Sequence, residues 1–111
     1  MILFVLFSVK PEFPRGIFTS TSVIENRRVN LPCPAQGNPS PSISWFKNDI
    51  PLTGNEIGIT LNDDGSLDID NARAEHAGVY KCEATNAAGS VFHVIDLDIF
   101  SELLTQKSRC C

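Results

Sequence analysis

The chain of 111 residues carries 13 acidic against 9 basic side chains, a formal net charge of −4, and is 42% hydrophobic and 20% charged. That length is one domain with tails, of ordinary globular composition. No Lys/Arg cluster exists beyond Arg27-Arg28, so the basic stripe that a nucleic-acid groove needs is missing and that function class has almost no support.

In chain order, Met1 to Val9 is almost wholly apolar. Residues 1–10 read as an apolar leader: a degenerate or truncated secretion signal, a fragment of a preceding strand, or a mispredicted start. The basic beginning and small-residue cleavage site of a signal are missing, and the run is too short to span a bilayer. Pro11-Glu12-Phe13-Pro14 should break regular structure. Gly16 to Ile24 reads as a Ser/Thr-rich edge strand, closed by a turn at Glu25-Asn26, where Asn tolerates a left-handed backbone. From Arg28 to Cys33 the chain alternates, with Val29, Leu31 and Cys33 facing in. Pro32 and Pro34 remove ladder donors, so this strand should end free or bulged. Gln36 to Pro41 is a loop by composition. Ile43 and Trp45 face in, Ser44 and Phe46 out. Lys47-Asn48-Asp49 is a turn before the short edge segment Ile50-Pro51-Leu52.

Ile57, Ile59 and Leu61 make a further strand, and Asn62-Asp63-Asp64-Gly65 a hairpin turn. Ser66 to Asp70 returns with Leu67 and Ile69 inward. Asn71 to Ala77 is a short helical corner. It leads into Gly78 to Asn86, whose Tyr80, Cys82 and Ala84 share one face. Asn86-Ala87-Ala88-Gly89 is a tight hairpin, and Ser90 to Phe100 the last strand, with Ile95, Leu97 and Ile99 in and Asp96 and Asp98 out. Strands separated by turn signals every 8–12 residues or so predict an all-β sandwich. Residues 101–111 form a polar C-terminal tail.

Cys33 and Cys82 lie on predicted strands, whereas Cys110 and Cys111 are adjacent in the tail. There is no Cys-x-x-Cys pair, and His76 and His93 lie away from Cys33, so a zinc site has little support. Asp63-Asp64 and Asp96/Asp98 are better explained as a turn and as solvent-facing residues than as calcium ligands. No nucleophile, base and orienting acid are gathered as catalysis requires. The expectation is no enzyme, no cofactor and no metal. Asn38-Pro39-Ser40 has glycan-acceptor spacing, but Pro39 blocks it. Cys110 and Cys111 could cross-link chains, take a lipid, or be a meaningless tail.

The motifs Val29-Asn30-Leu31-Pro32-Cys33, Gly37-Asn38-Pro39-Ser40-Pro41, Ile43-Ser44-Trp45-Phe46-Lys47, Gly65-Ser66-Leu67-Asp68-Ile69, Gly78-Val79-Tyr80-Lys81-Cys82 and Ala84 to Gly89 jointly resemble the immunoglobulin superfamily, its I-set class in particular, over residues 11–100. The resemblance implies an immunoglobulin-like antiparallel Greek-key sandwich of two sheets. It implies a Cys33–Cys82 bridge between the sheets, a Trp45 packed on it, a Tyr80 corner and Leu67 in the core. Such a bridge closes a loop of about 50 residues, about 4 kcal/mol in the chain-entropy model, and belongs in an oxidising compartment. His76 departs from the family pattern, which usually has Asp at that place; neighbouring Glu75 is a possible substitute, and His76 itself is either a neutral loop residue or a pH-sensitive corner.

Similar modules occur in hemicentin, peroxidasin, contactin-type adhesion receptors and titin. They imply a non-enzymatic protein–protein recognition module, extracellular, in cell adhesion (homophilic among the options) or matrix assembly. The alternatives are a cytoplasmic, titin-like sarcomeric spacer, or an accessory module of a peroxidasin-like enzyme whose catalytic domain lies elsewhere. Partners would be self or other Ig-like domains, with no small-molecule substrate or nucleic acid, and with membrane reached only through segments outside this sequence. The candidate contact face is the outward side of the sheet holding Trp45, Cys82 and Ile95: Phe46, Val79, Lys81, Glu83, Phe92 and Val94. Four of these are apolar, inside a charged rim of Lys81, Glu83 and Asp96.

Overall fold

The computed structural model describes residues 8–101; the apolar run before Ser8, the tail after Ser101, and with it Cys110 and Cys111, lie outside the described residues. Period-2 alternation of apolar side chains carries most of the described chain into strands: β1 (Val9–Glu12), β2 (Ser20–Ile24), β3 (Val29–Leu31), β4 (Gln36–Asn38), β5 (Ser42–Lys47), β6 (Ile50–Pro51), β7 (Ile59–Leu61), β8 (Leu67–Ile69), β9 (Gly78–Asn86) and β10 (Gly89–Phe100). One 3-10 turn, Ala74–His76, precedes β9. A five-stranded sheet runs β2-β10-β9-β5-β6 and a three-stranded sheet β3-β8-β7, with β1 and β4 paired beside them. β2 runs parallel to β10, and the other pairs are antiparallel. This is the expected all-β sandwich.

The two larger sheets face each other across Leu31, Cys33, Trp45, Leu67, Ile69, Tyr80, Cys82, Ile95 and Leu97, all buried. Cys33 follows β3 in one layer and Cys82 lies in β9 of the other, and a disulfide joins them. Trp45 stands directly opposite Cys82 in the ladder, on the same inner face. Its indole N–H donates to the Gly65 carbonyl oxygen at 2.8 Å, so the buried ring leaves no polar atom unmatched. Gly65 has φ +92°, and a Cβ there would meet Ile43 Cγ1 at 3.0 Å. The turn needs Gly65 for its backbone as well as for its size.

Several local expectations need correction. Gln36–Asn38 is not loop but strand, paired with β1. Composition hid this because the pairing partner is distant in sequence. Pro11-Glu12 does not break β1, and β1 begins at Val9, inside the stretch assigned to the leader. A proline is tolerated because this is an edge pair whose register shifts between Val9 and Glu12. Ile57 is not inward: it is 93% exposed, and β7 starts only at Ile59. Regular strand in the Gly16–Ile24 stretch is limited to Ser20–Ile24. Other turns stand as expected, including Asn26 at φ +71°.

Candidate functional site

β5, β9 and β10 are long, adjacent and in register, so alternate side chains project as rows on the solvent side of the five-stranded sheet. One row is Ser44–Glu83–Phe92, the next Phe46–Lys81–Val94, and Val79 and Asp96 follow. The structure therefore brings all six candidate face residues together. Phe92 is 62% exposed, Val79 42% and Val94 38%, whereas Phe46 is half-buried.

Lys81 and the paired residue Pro51 of β6 flank Phe46 on either side. The Lys81 ammonium sits 4.8 Å from the centroid of the Phe46 ring and 5.5 Å from that of Phe92. Each contact is a cation–π attraction of about 0.5–1 kcal/mol at such a partly exposed site. Asp49 lies 3.8 Å from the same ammonium but is almost fully exposed, so that ion pair adds little. The result is a cation clamped between two aromatic rings in the middle of an apolar row, with Glu83 two positions along the same strand.

The opposite sheet carries a polar cluster that sequence reasoning missed. Asp68 is buried in β8. Its Oδ1 accepts from Asn30 Nδ2 at 2.8 Å, and its Oδ2 from Arg28 at 2.9 Å and Asn62 Nδ2 at 3.1 Å. The Asn30 amide, then that of Asn62 and the Arg28 guanidinium, hold this carboxylate below the usual range. The available signal was the polar residues Asn30 and Asp68 at paired positions of β3 and β8, but register is needed to see it. Asp64, the calcium-ligand alternative of the hairpin turn, instead accepts from the Ser66 N–H and hydroxyl, which lowers its pKa. Among the described residues no group of three or more His, Cys, Asp and Glu could hold a metal ion.

Both histidines are engaged by backbone. His76 is buried; its Nδ1 accepts from the Arg73 N–H at 3.0 Å and its Nε2 meets the Ile57 carbonyl oxygen at 3.3 Å. His93 Nε2 meets the Phe18 carbonyl oxygen at 2.9 Å, and its ring packs on Phe13. A groove of about 460 Å³ lies between the Pro34–Ile43 segment and the Asn62–Gly65 turn, and no histidine lines it. Asn86, seen in the sequence only as part of a hairpin turn, ties that end of the molecule together. Its Nδ2 donates to the carbonyl oxygens of Val9 and Pro39, and its Oδ1 accepts from the Ala88 N–H.

Comparison with known proteins matches this architecture. The immunoglobulin I-set domain family matches residues 11–99, and the chain belongs to that family. It is 39% identical over 100 residues to hemicentin-1 of Mus musculus, covering 85% of this chain and 2% of hemicentin-1. Among solved structures, immunoglobulin domains 1–4 of Sidekick-1 superpose with a TM-score of 0.78 at 26% identity, over 83% of this chain and 24% of that one. The titin M10–obscurin-like 1 Ig complex gives 0.75 at 27% identity, over 84% and 96%. Domains of this kind are typically non-catalytic and mediate protein–protein contacts, including contacts between Ig domains.

Proposed function

We propose that this domain is a non-enzymatic recognition module of cell adhesion or extracellular-matrix assembly, and that it binds through the outward face of the five-stranded sheet. The observation that carries this is the Phe46–Lys81–Phe92 clamp beside the exposed side chains of Val79 and Val94. Aromatic rings packed on a cation with apolar side chains beside them are the make-up of an interface hot spot, and they move Lys81 from the expected rim to the centre of the face. The buried Cys33–Cys82 bridge supports an oxidising, extracellular setting. Phe92→Asp tests the reading. The ring is mostly in water, so the variant should fold and melt like the parent while losing self-association or partner capture. Unchanged binding overturns it.

Likeness to an Ig domain of the titin M10–obscurin-like 1 complex favours a second reading, a sarcomeric spacer that bears force and keeps both core cysteines reduced. Alkylating the protein as it is extracted from its native source straight into denaturant without reductant, so that the buried sulfurs are within reach of the reagent, separates the two. Unmodified Cys33 and Cys82 support the recognition module; labelled ones support the spacer.

A further inference from the structure

We propose that the partner of this face is a second copy of the chain, docked face to face with its β9 antiparallel to the first, about a twofold axis that crosses β9 at Cys82. This dimer presupposes the recognition role proposed above for the face.

Charge selects the arrangement. Lys81 and Glu83 stand side by side on β9 and point to the same side of the sheet. In a twofold interface contacts are reciprocal: if residue i of one copy meets residue j of the other, j of the first meets i of the second. If the axis ran along β9, Lys81 would face Lys81 and Glu83 would face Glu83. If the axis runs across the strands between the two rows, Lys81 of each copy faces Glu83 of the other, and two opposite-charge pairs form at the centre.

The same operation matches the flanking columns. Phe92 lies over Val94 of the second copy, and Phe46 over Ser44, because these are the residues that share rows with Glu83 and Lys81. One row further out, Val79 meets Thr85 and Asp96 meets Ser90, whose hydroxyl can donate to the carboxylate. Apolar groups therefore meet apolar or small partners. Stacked sheets lie about 10 Å apart, a gap that Lys and Glu side chains bridge.

Sedimentation equilibrium of the full chain, with Cys110→Ser and Cys111→Ser to exclude cross-linking through the tail, tests this. The parent protein should dimerise. Lys81→Glu and Glu83→Lys should each weaken self-association about tenfold or more, because each sets like charges against one another twice. The decisive sample is their equimolar mixture. The Lys81→Glu chain then presents two carboxylates at the centre of its face and the Glu83→Lys chain two ammoniums, so association should return as a heterodimer. A mixture that fails to associate, or a parent that stays monomeric as its concentration is raised, overturns the dimer. If Phe92→Asp abolishes capture of a different protein while the charge variants change nothing, the self-dimer falls and the recognition role stands.

Discussion

The Tyr80 hydroxyl donates a hydrogen bond to the backbone carbonyl oxygen of His76 across 2.6 Å. That bond closes the corner between the 3-10 turn and β9, and through β9 it sets where Cys82 meets the other layer and where Lys81 and Glu83 reach solvent.

Burial pushes the Tyr80 phenol up to about 12, against about 10 in an unfolded chain. Below pH ~10 its contribution to stability is complete. Between ~10 and 12 the unfolded state releases a proton that the folded state keeps, so stability falls as pH rises. Tyr80 is the chain's one tyrosine, so phenolate absorbance reports it alone. The native protein should titrate late and the denatured protein near the ordinary value. Tyr80→Phe should remove this part of the alkaline slope and cost about 0.5–1.5 kcal/mol at neutral pH, measured by urea unfolding.

His76 occupies the place where the family usually has Asp, and its Nδ1 accepts the Arg73 N–H as a carboxylate oxygen would. Truncation to Ala should cost about 1–2 kcal/mol, as for loss of a cap, or roughly 4–8 °C in melting temperature per kcal/mol. His76→Asn keeps an acceptor near the same point and should lose less. Equal losses in the two variants would show that packing, not the acceptor, is what the position supplies.

Asp68 should shape the acid limb. Its carboxylate is held below the ordinary range, so the stability it provides is complete above the unfolded value of about 3.9 and fades as pH falls through the lower folded value. Asp64 and Glu56 are also lowered, so only the difference from a variant isolates Asp68. Asp68→Ala takes one of two acceptors from each of the amides of Asn30 and Asn62, leaving each with Ser66 Oγ, and should cost about 1–3 kcal/mol at neutral pH, with a flatter acid limb. Arg28→Ala should cost far less, because its side chain is 67% exposed. Unfolding free energies across pH, for all three proteins, check the order.

The sequence alone determined what depends on local chemistry and on period. Trp45, Tyr80 and Cys82 sit on strands whose alternation allows one set of faces, Cys33 continues the inward side of β3 two residues past its end, and a one-residue slip would turn every core side chain to water. The outward set was legible for the same reason: Val79, Lys81 and Glu83 alternate with Tyr80 and Cys82, Phe46 follows inward Trp45, and Phe92 and Val94 alternate with His93 and Ile95. Tertiary structure alone decided the rest. Gln36–Asn38 became a strand because Val9–Glu12 lies alongside, a partner some 25 residues away in sequence. Asp68 became buried because Asn30, Asn62 and Arg28 converge on it from outside its own strand. Lys81 became the centre of the face because registers on both sides of β9 bring Phe46 and Phe92 within reach of one ammonium. Alternation is written into neighbouring residues, whereas pairing between distant strands exists only once the chain has closed its loops.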